Sequence, residues 1–319
     1  MWLQVRLYLL VALMFGLLYG LIVGVSAALG YSNFIFYAVL SLVLVGIQYL
    51  LGPTIVGWVM KVRYVTEQEE PGLHQMVVEL ARTAGIPKPK VGISKVSIPN
   101  AFAFGRSQSD GRVCVTEGIV RLLNKDELKA VLGHEISHLK HRDMALITLL
   151  SVIPMICWYI AWGLMWGRGG RDRSGGYVAL IGIGAFLLYF ITNLLVLYGS
   201  RIREYYADLG SVQVGNAPSQ LANALYKLVY SNTRMPKEAL NQGGGFKAFF
   251  VNDPSSAWNE IRDLRQIDQD KNGVIDNSDL MALRSKRVRV GFGGTLKEIF
   301  STHPNMLKRI KHLSTLAAS

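Results

Sequence analysis

The pattern of charged and apolar positions is broken by long stretches that carry no charge at all. From Leu7 to Met60 there is no Asp, Glu, Lys or Arg. That run is long enough for two helices of about 20 residues each, with Gly30-Tyr31-Ser32-Asn33 as the natural turn. Met144 to Gly167 is again uncharged, Arg168-Gly169-Gly170-Arg171-Asp172-Arg173 interrupts, and Ser174 to Ser200 is uncharged. The pattern predicts a multi-pass helical membrane anchor of about four spans. The apolar run from Leu7 is too long for a signal-peptide core and no small-residue cleavage site ends it, so it is expected to stay as an anchor.

Between these stretches the periodicity changes. Val62 to Asp143 reads as a compact α+β unit. Pro71 opens a helix in which Leu73, Met76, Val77, Leu80 and Ala81 share a face. Lys90–Ile98 and Gly111–Val115 look like short strands, with Asn100-Ala101-Phe102-Ala103-Phe104-Gly105 between them. Asn124 caps the next helix, Glu127 completes a capping box, and Leu123 is placed to staple onto Leu128. This helix runs on into His134. After the last apolar run, Arg201 to Val214 continues as helix and Ser219 to Tyr230 forms another. A glycine-rich loop follows at Gly243-Gly244-Gly245, and a final helix starts near Asn305, opened by Thr302-His303-Pro304. The fold class is mainly α with a small β-sheet. Its expected parts are a membrane hairpin over 1–60, a polar part over 61–143, a second hydrophobic hairpin over 144–200 and a second polar part over 201–319.

Composition supports a part-membrane chain: half the residues are hydrophobic and 18% are charged, against about 25% in soluble domains. The net charge of +12 fits attraction to anionic lipid headgroups beside the spans. No nucleic-acid recognition module is present, so no nucleic-acid partner is expected. Cys114 and Cys157 are the only cysteines; they suggest no disulfide framework and a reducing, cytoplasm-facing chain. Arg6, Lys61, Arg63, Arg201 and Arg203 flank the apolar runs, which places both termini and the polar parts on the cytoplasmic side. Arg168, Arg171 and Arg173 disagree. Either that loop tolerates the far side, or the second hairpin does not cross fully.

The polar parts carry a metal pattern. His134-Glu135-Ile136-Ser137-His138 lies on the capped helix, where four residues advance about 400° and point both imidazoles the same way. Glu135 sits about 100° round, within reach of a water activated by zinc. Arg203-Glu204-Tyr205-Tyr206-Ala207-Asp208 lies on a later helix with Glu204 and Asp208 on one face. One carboxylate there suits a third ligand and the other suits a hydrogen bond to a ligand histidine. His141 reads as a solvated surface histidine.

These strings together resemble the HtpX family of membrane-bound zinc metallopeptidases, relatives of the CAAX prenyl proteases. The resemblance rests on Gly133 to His138, Ser200 to Asp208, Asn100 to Ala103, and Thr302-His303-Pro304 with Arg309-Ile310. It covers nearly the whole chain. It implies a zincin-like cytoplasmic catalytic domain in which His134, His138 and Glu204 bind one zinc, Glu135 is the general base and Asp208 orients a ligand. His303 is then either an oxyanion partner or only the capped start of a helix. Asn100, Ala101 and Phe102 are either an edge strand that pairs with an extended substrate, or an ordinary hairpin strand. The implied substrates are misfolded membrane or membrane-proximal proteins, in protein quality control.

One segment departs from that family. Asp268 to Asp279 matches an EF-hand loop, with Asp268, Asp270, Asn272, Asp276 and Asp279 as candidate ligands for calcium or magnesium and Gly273 at the turn. The other reading is a solvated polar turn. Two rival functions fit the sequence less well. An intramembrane protease fits poorly with Lys125-Asp126-Glu127 and Lys140-His141-Arg142-Asp143 at the ends of the His134 helix. A non-catalytic zinc-binding scaffold or transporter fits poorly with Glu135 and with apolar runs that hold Asn193 but no acid or histidine.

Overall fold

The computed structural model of the chain describes residues 13, 21, 34–166, 175–234, 257–264, 267–268, 273–288 and 290–317. Along the chain the described elements are α1 (Phe34–Val59), β1 (Val62–Tyr64), α2 (Pro71–Ala84), β2 (Lys90–Ser94), β3 (Ala101–Phe104), β4 (Arg112–Thr116), α3 (Glu117–Leu122), α4 (Lys125–His141), α5 (Asp143–Trp166), α6 (Gly175–Gln213), α7 (Pro218–Thr233), α8 (Ala257–Leu264), α9 (Asn277–Ser285), α10 (Phe292–Ile299) and α11 (Met306–Leu316). The architecture is mainly helical with one small sheet. The chain divides into two compact units, Met1–Leu51 with Ala145–Ile202, and Gly52–Met144 with Arg203–Ser319.

In the first unit, helices pack through small and apolar residues. Leu150 and Ile153 of α5 meet Val196 of α6, and Cys157 and Ala161 meet Ala185. A Cβ at Gly182 would lie 2.8 Å from the Met165 side chain, so the missing side chain permits that approach. The Thr192 hydroxyl donates to Leu188 O one turn back, so this buried polar group is satisfied within its own helix. Leu180, Phe186, Leu187 and Ile191 are exposed. Among the described residues one helix, over Ala179–Gln213, is long and apolar enough to cross a membrane; the apolar helices Tyr49–Val59 and Leu150–Met165 are shorter. The first expected span and the Arg168–Arg173 segment lie outside the described residues, Leu13 and Leu21 apart, as does Gly243–Gly245.

In the second unit the four-stranded sheet has the order β1-β2-β4-β3. β2 and β4 are parallel, with Val91 opposite Val113. β3 runs antiparallel to β4, with Phe102 opposite Cys114, and forms an edge. Alternation sends Ala101, Ala103, Val113 and Val115 into the main core, and Phe102, Phe104 and Cys114 to the other face against Val56 and Met60. The strands stand where the sequence implied, the first of them shorter than expected. The first expected strand stops at Ser94, and Asn100–Gly105 itself supplies β3.

α2 buries Leu73, Met76, Val77, Leu80 and Ala81 and ends at Gly85, whose φ of 73° is the left-handed cap that glycine adopts without strain. α4 starts with both halves of the capping box: Asn124 Oδ1 accepts from Glu127 N, and Glu127 Oε2 accepts from Asn124 N, each at 2.9 Å. The Glu127 carboxylate does more than cap. It also accepts from Asn223 Nδ2 and from Lys227 Nζ at 2.7 Å, tying α7 to the first turn of α4. The middle of α4 is buried on all sides, with Val131, Leu132 and Ile136 in the core.

Candidate metal centre

Close helix approach brings the site together. The C-terminal part of α6 lies against α4 where both present glycine. A Cβ on Gly210 would fall 2.5 Å from Ser137 Cβ, and one on Gly133 would fall 2.4 Å from the Asn216 amide nitrogen. Ser211 Oγ donates to Ala130 O at 2.6 Å across the same contact. Two turns before Gly210 on α6, this seat sets Glu204 opposite the histidines of α4.

His134 Nε2 and His138 Nε2 are 3.1 Å apart. Glu204 lies 3.6 Å from the first through Oε2 and 3.5 Å from the second through Oε1. These three residues form the one group, among the described residues, whose ligand atoms all lie within 4.8 Å of one another. Two donors held about 2.0–2.1 Å from a tetrahedral ion would be about 3.3 Å apart, so the spacing suits a shared cation.

The rest of the hydrogen bonding fits the same ion. His134 Nδ1 is 2.9 Å from Asp208 Oδ1, and His138 Nδ1 is 2.7 Å from Asp143 Oδ2. With each Nδ1–H donated to a carboxylate, both Nε2 lone pairs face one another, an arrangement a cation resolves. Glu204 Oε2 is buried and makes no hydrogen bond, although Arg309 Nη1 is 2.9 Å away as an ion pair. Charge points the same way. Around the two histidines the buried carboxylates are Glu135, Glu204, Asp208 and Asp143, and the buried guanidinium groups are Arg203 and Arg309. A divalent cation matches that deficit.

Arg309 is the polar cornerstone on the far side. It is fully buried and grips Asp208 by two bonds, Nε to Oδ2 at 3.0 Å and Nη2 to Oδ1 at 2.6 Å. Burial alone would raise the Glu204 carboxyl; the neighbouring His303 and Arg309 charges and the close approach of His134 and His138 instead hold it well below the usual range. For Asp208, burial is likewise outweighed by Arg309 and His134. Glu135 differs. Burial pushes its carboxyl up, partly opposed by the adjacent histidines and by a hydrogen bond from the Ala103 backbone. Burial thus acts on both carboxylates, and neighbouring charges outweigh it at Glu204 but not at Glu135.

The sequence candidates fall as follows. His134, Glu135, His138, Glu204 and Asp208 lie together. His303 joins them, with Nδ1 3.3 Å from Glu204 Oε2 and both ring nitrogens buried without a hydrogen-bond partner. Asn100, Ala101 and Phe102 belong to the edge of the sheet beside α4. His141 is exposed and its Nδ1 meets Ser137 O at 2.9 Å. In the EF-hand-like segment Asp270 and Asn272 lie outside the described residues. Asp276 and Asp279 form the capping box of α9, and Asp268 accepts from Gly273 N and Tyr226 Oη, so these three acids serve local hydrogen bonds. Sequence reasoning gave no site role to Asp143, to Arg203 as its partner, or to Arg309, which entered only within a string that matches the family. The i+5 spacing of Asp143 gives no helical-face signal, and Arg309 is 101 residues from Asp208.

Comparison with known proteins agrees with this geometry. Residues 67–317 match the pattern described as Peptidase family M48. A "Protease HtpX homolog" of Methanothermobacter thermautotrophicus is 53% identical over 227 residues, 71% of this chain and 86% of that protein. One of Moorella thermoacetica is 33% identical over 296 residues, 91% of this chain and 86% of its own length. The crystal structure of S. mikatae Ste24p shares the fold, with a TM-score of 0.52 at 16% identity over 97% of this chain and 67% of that one.

Proposed function

The chain belongs to peptidase family M48 and is a metallopeptidase of the HtpX type; from there we propose a membrane-bound zinc endopeptidase that cleaves misfolded membrane or membrane-proximal proteins at the cytoplasmic face. One observation carries the zinc reading: both histidines have Nδ1 committed to a carboxylate while their Nε2 atoms and Glu204 converge.

In this reading His134, His138 and Glu204 hold the ion. Zinc, when bound, supplies the Lewis acidity that lets a water attack near neutral pH. Glu135, next to His134 and raised by burial, takes the proton of the attacking water and passes it to the leaving amine. His303 has two buried ring nitrogens without hydrogen bonds, and one of them can donate to the oxyanion that develops on the scissile carbonyl.

Substrate is proposed to lie along β3. Asn100 O accepts from Thr116 N at 2.8 Å, so by antiparallel alternation Asn100 and Phe102 turn their backbone groups to β4, and Ala101 and Ala103 turn theirs to the open edge. An extended peptide pairing there runs past Glu135, which shares a bond with Ala103. Only unfolded or extended segments fit such an edge, which agrees with a quality-control role.

Membrane attachment rests on the apolar part of α6 before Arg201, whose exposed Leu180, Leu187 and Ile191 would be costly in water. The cytoplasmic orientation rests on Lys61, Arg63 and Arg201. Arg203 no longer counts as a headgroup contact, because it is buried against Asp143.

The test is cleavage of an unfolded reporter protein in detergent, with zinc content measured in parallel. Glu135→Gln is expected to lose about 100-fold or more in turnover while keeping its zinc. Equal cleavage by wild type and variant, or wild type that binds no zinc, would overturn the proposal.

A further inference from the structure

The chain breaks its helix at one residue between the HExxH segment and the next apolar run. Arg142 has φ 56° and ψ 38°, and its N–H caps His138 O and Leu139 O. In an unbroken helix Asp143 would project about 140° away from His138. The left-handed residue turns the chain instead, so the Asp143 carboxylate folds back to His138 Nδ1 at 2.7 Å.

The other oxygen of that carboxylate is also taken. Asp143 Oδ1 pairs with Arg203 Nη2, and the same nitrogen donates to His141 O at 3.2 Å. Arg203 also lies 5.6 Å from the centre of the Tyr206 ring. Both members are nearly inaccessible, Asp143 at 5% and Arg203 at 7% exposure. Arg203 immediately precedes Glu204, so the pair links the end of the His138 helix to the segment that carries the carboxylate ligand.

We propose that Asp143 and Arg203 form a positioning pair for the metal: Asp143 holds His138 with Nδ1 protonated and Nε2 turned inward, and Arg203 holds Asp143 while fixing where Glu204 begins. The two zinc histidines are then served by two separate acid–arginine clamps, Asp208 with Arg309 behind His134 and Asp143 with Arg203 behind His138. The reason for the second clamp is geometric. His138 is more open than His134, with 17% against 1% of its side chain exposed, so packing alone fixes its ring less well.

This inference rests on the zinc reading above, and the experiment separates the two. Zinc affinity of the full chain in detergent is measured by chelator competition for wild type, His138→Ala, Asp143→Asn, Asp143→Glu, Arg203→Gln and the double variant Asp143→Asn/Arg203→Gln. Cobalt-loaded protein supplies a visible spectrum for each. If wild type binds no zinc, or His138→Ala binds as tightly as wild type, the zinc reading fails. With that reading intact, Asp143→Asn is expected to weaken zinc about 10-fold to 100-fold and to shift the cobalt bands, and Asp143→Glu is expected to recover part of both. Arg203→Gln is expected to weaken zinc in the wild-type background and to add nothing to Asp143→Asn. Affinity within twofold of wild type and an unchanged cobalt spectrum for Asp143→Asn would overturn the proposal. So would a loss of melting temperature in excess chelator equal to the loss with zinc bound, since the pair would then be merely structural.

Discussion

Arg142 holds a left-handed conformation that costs an ordinary side chain roughly 1–2 kcal/mol, yet its side chain is exposed. Replacing it by glycine removes that cost and adds back some unfolded-state entropy. Arg142→Gly is therefore expected to be neutral or stabilising by up to about 1 kcal/mol, read from the denaturant midpoint, with zinc affinity unchanged. Arg142→Val should destabilise and weaken zinc together, because a β-branched residue resists the turn that delivers Asp143. A second residue-scale effect lies away from the metal. Arg106 and Arg112 surround Asp110 and hold its carboxyl at about 2. A folded pKa below the ordinary value of 3.8 contributes stability that is complete above 3.8 and disappears as the pH falls through about 2. The stability gap between wild type and Asp110→Asn should then be constant above about pH 5 and close towards pH 2, read from melting temperatures across that range.

At the scale of elements, the crossing of α4 and α6 is set by two glycines. A Cβ on Gly210 meets Ser137 Oγ at 2.1 Å and Ser137 Cβ at 2.5 Å. The hydroxyl can rotate away; the Cβ cannot. Gly210→Ala is expected to cost about 1–3 kcal/mol and to lower zinc affinity by moving Glu204 off the histidines, and Ser137→Gly should restore part of both. The edge strand offers a different element test. Ala101 turns its N–H to the open edge, so Ala101→Pro spares both the β4 ladder and the Ala103 bond to Glu135. Cleavage of an unfolded protein should fall sharply while zinc content stays the same; unaltered cleavage would remove β3 from substrate binding. What was legible in the sequence follows the range of each interaction. The Asn124–Glu127 box and the one-face pattern of α2 are local, and both elements stand where the pattern put them. His134 and His138 were legible because a helix fixes their relation over four residues. β3 was legible as a strand at Asn100–Ala103, but its place at the edge beside β4 depends on pairing between distant residues, which no local pattern fixes. Asp143 was hidden by the turn at Arg142, and Arg309 by a contact that only tertiary packing creates. The helix from Arg201 read as a continuation was visible for the opposite reason, since α6 runs unbroken from the apolar segment to Gln213.

For the whole molecule, the surplus of buried negative charge makes metal and fold interdependent. Binding to the folded state alone adds RT ln(1 + [L]/Kd), about 2.7 kcal/mol at a hundredfold excess over Kd. Excess chelator should lower the melting temperature of wild type, zinc should restore it, and His138→Ala should show neither response. A chelator-insensitive melting curve would mean that the acids are neutralised by protons instead. The burial of Arg309 has one more consequence, in time. A ribosome makes the HExxH helix first, the Glu204 segment later, and Arg309 only after both. Until that guanidinium arrives, Asp208 has no counter-charge and Glu204 lacks its neighbour, so the half-made site stays electrostatically open. A protease built in this order is expected to stay silent until Arg309 is made, so chains cut short before Arg309 should show no cleavage of an unfolded reporter.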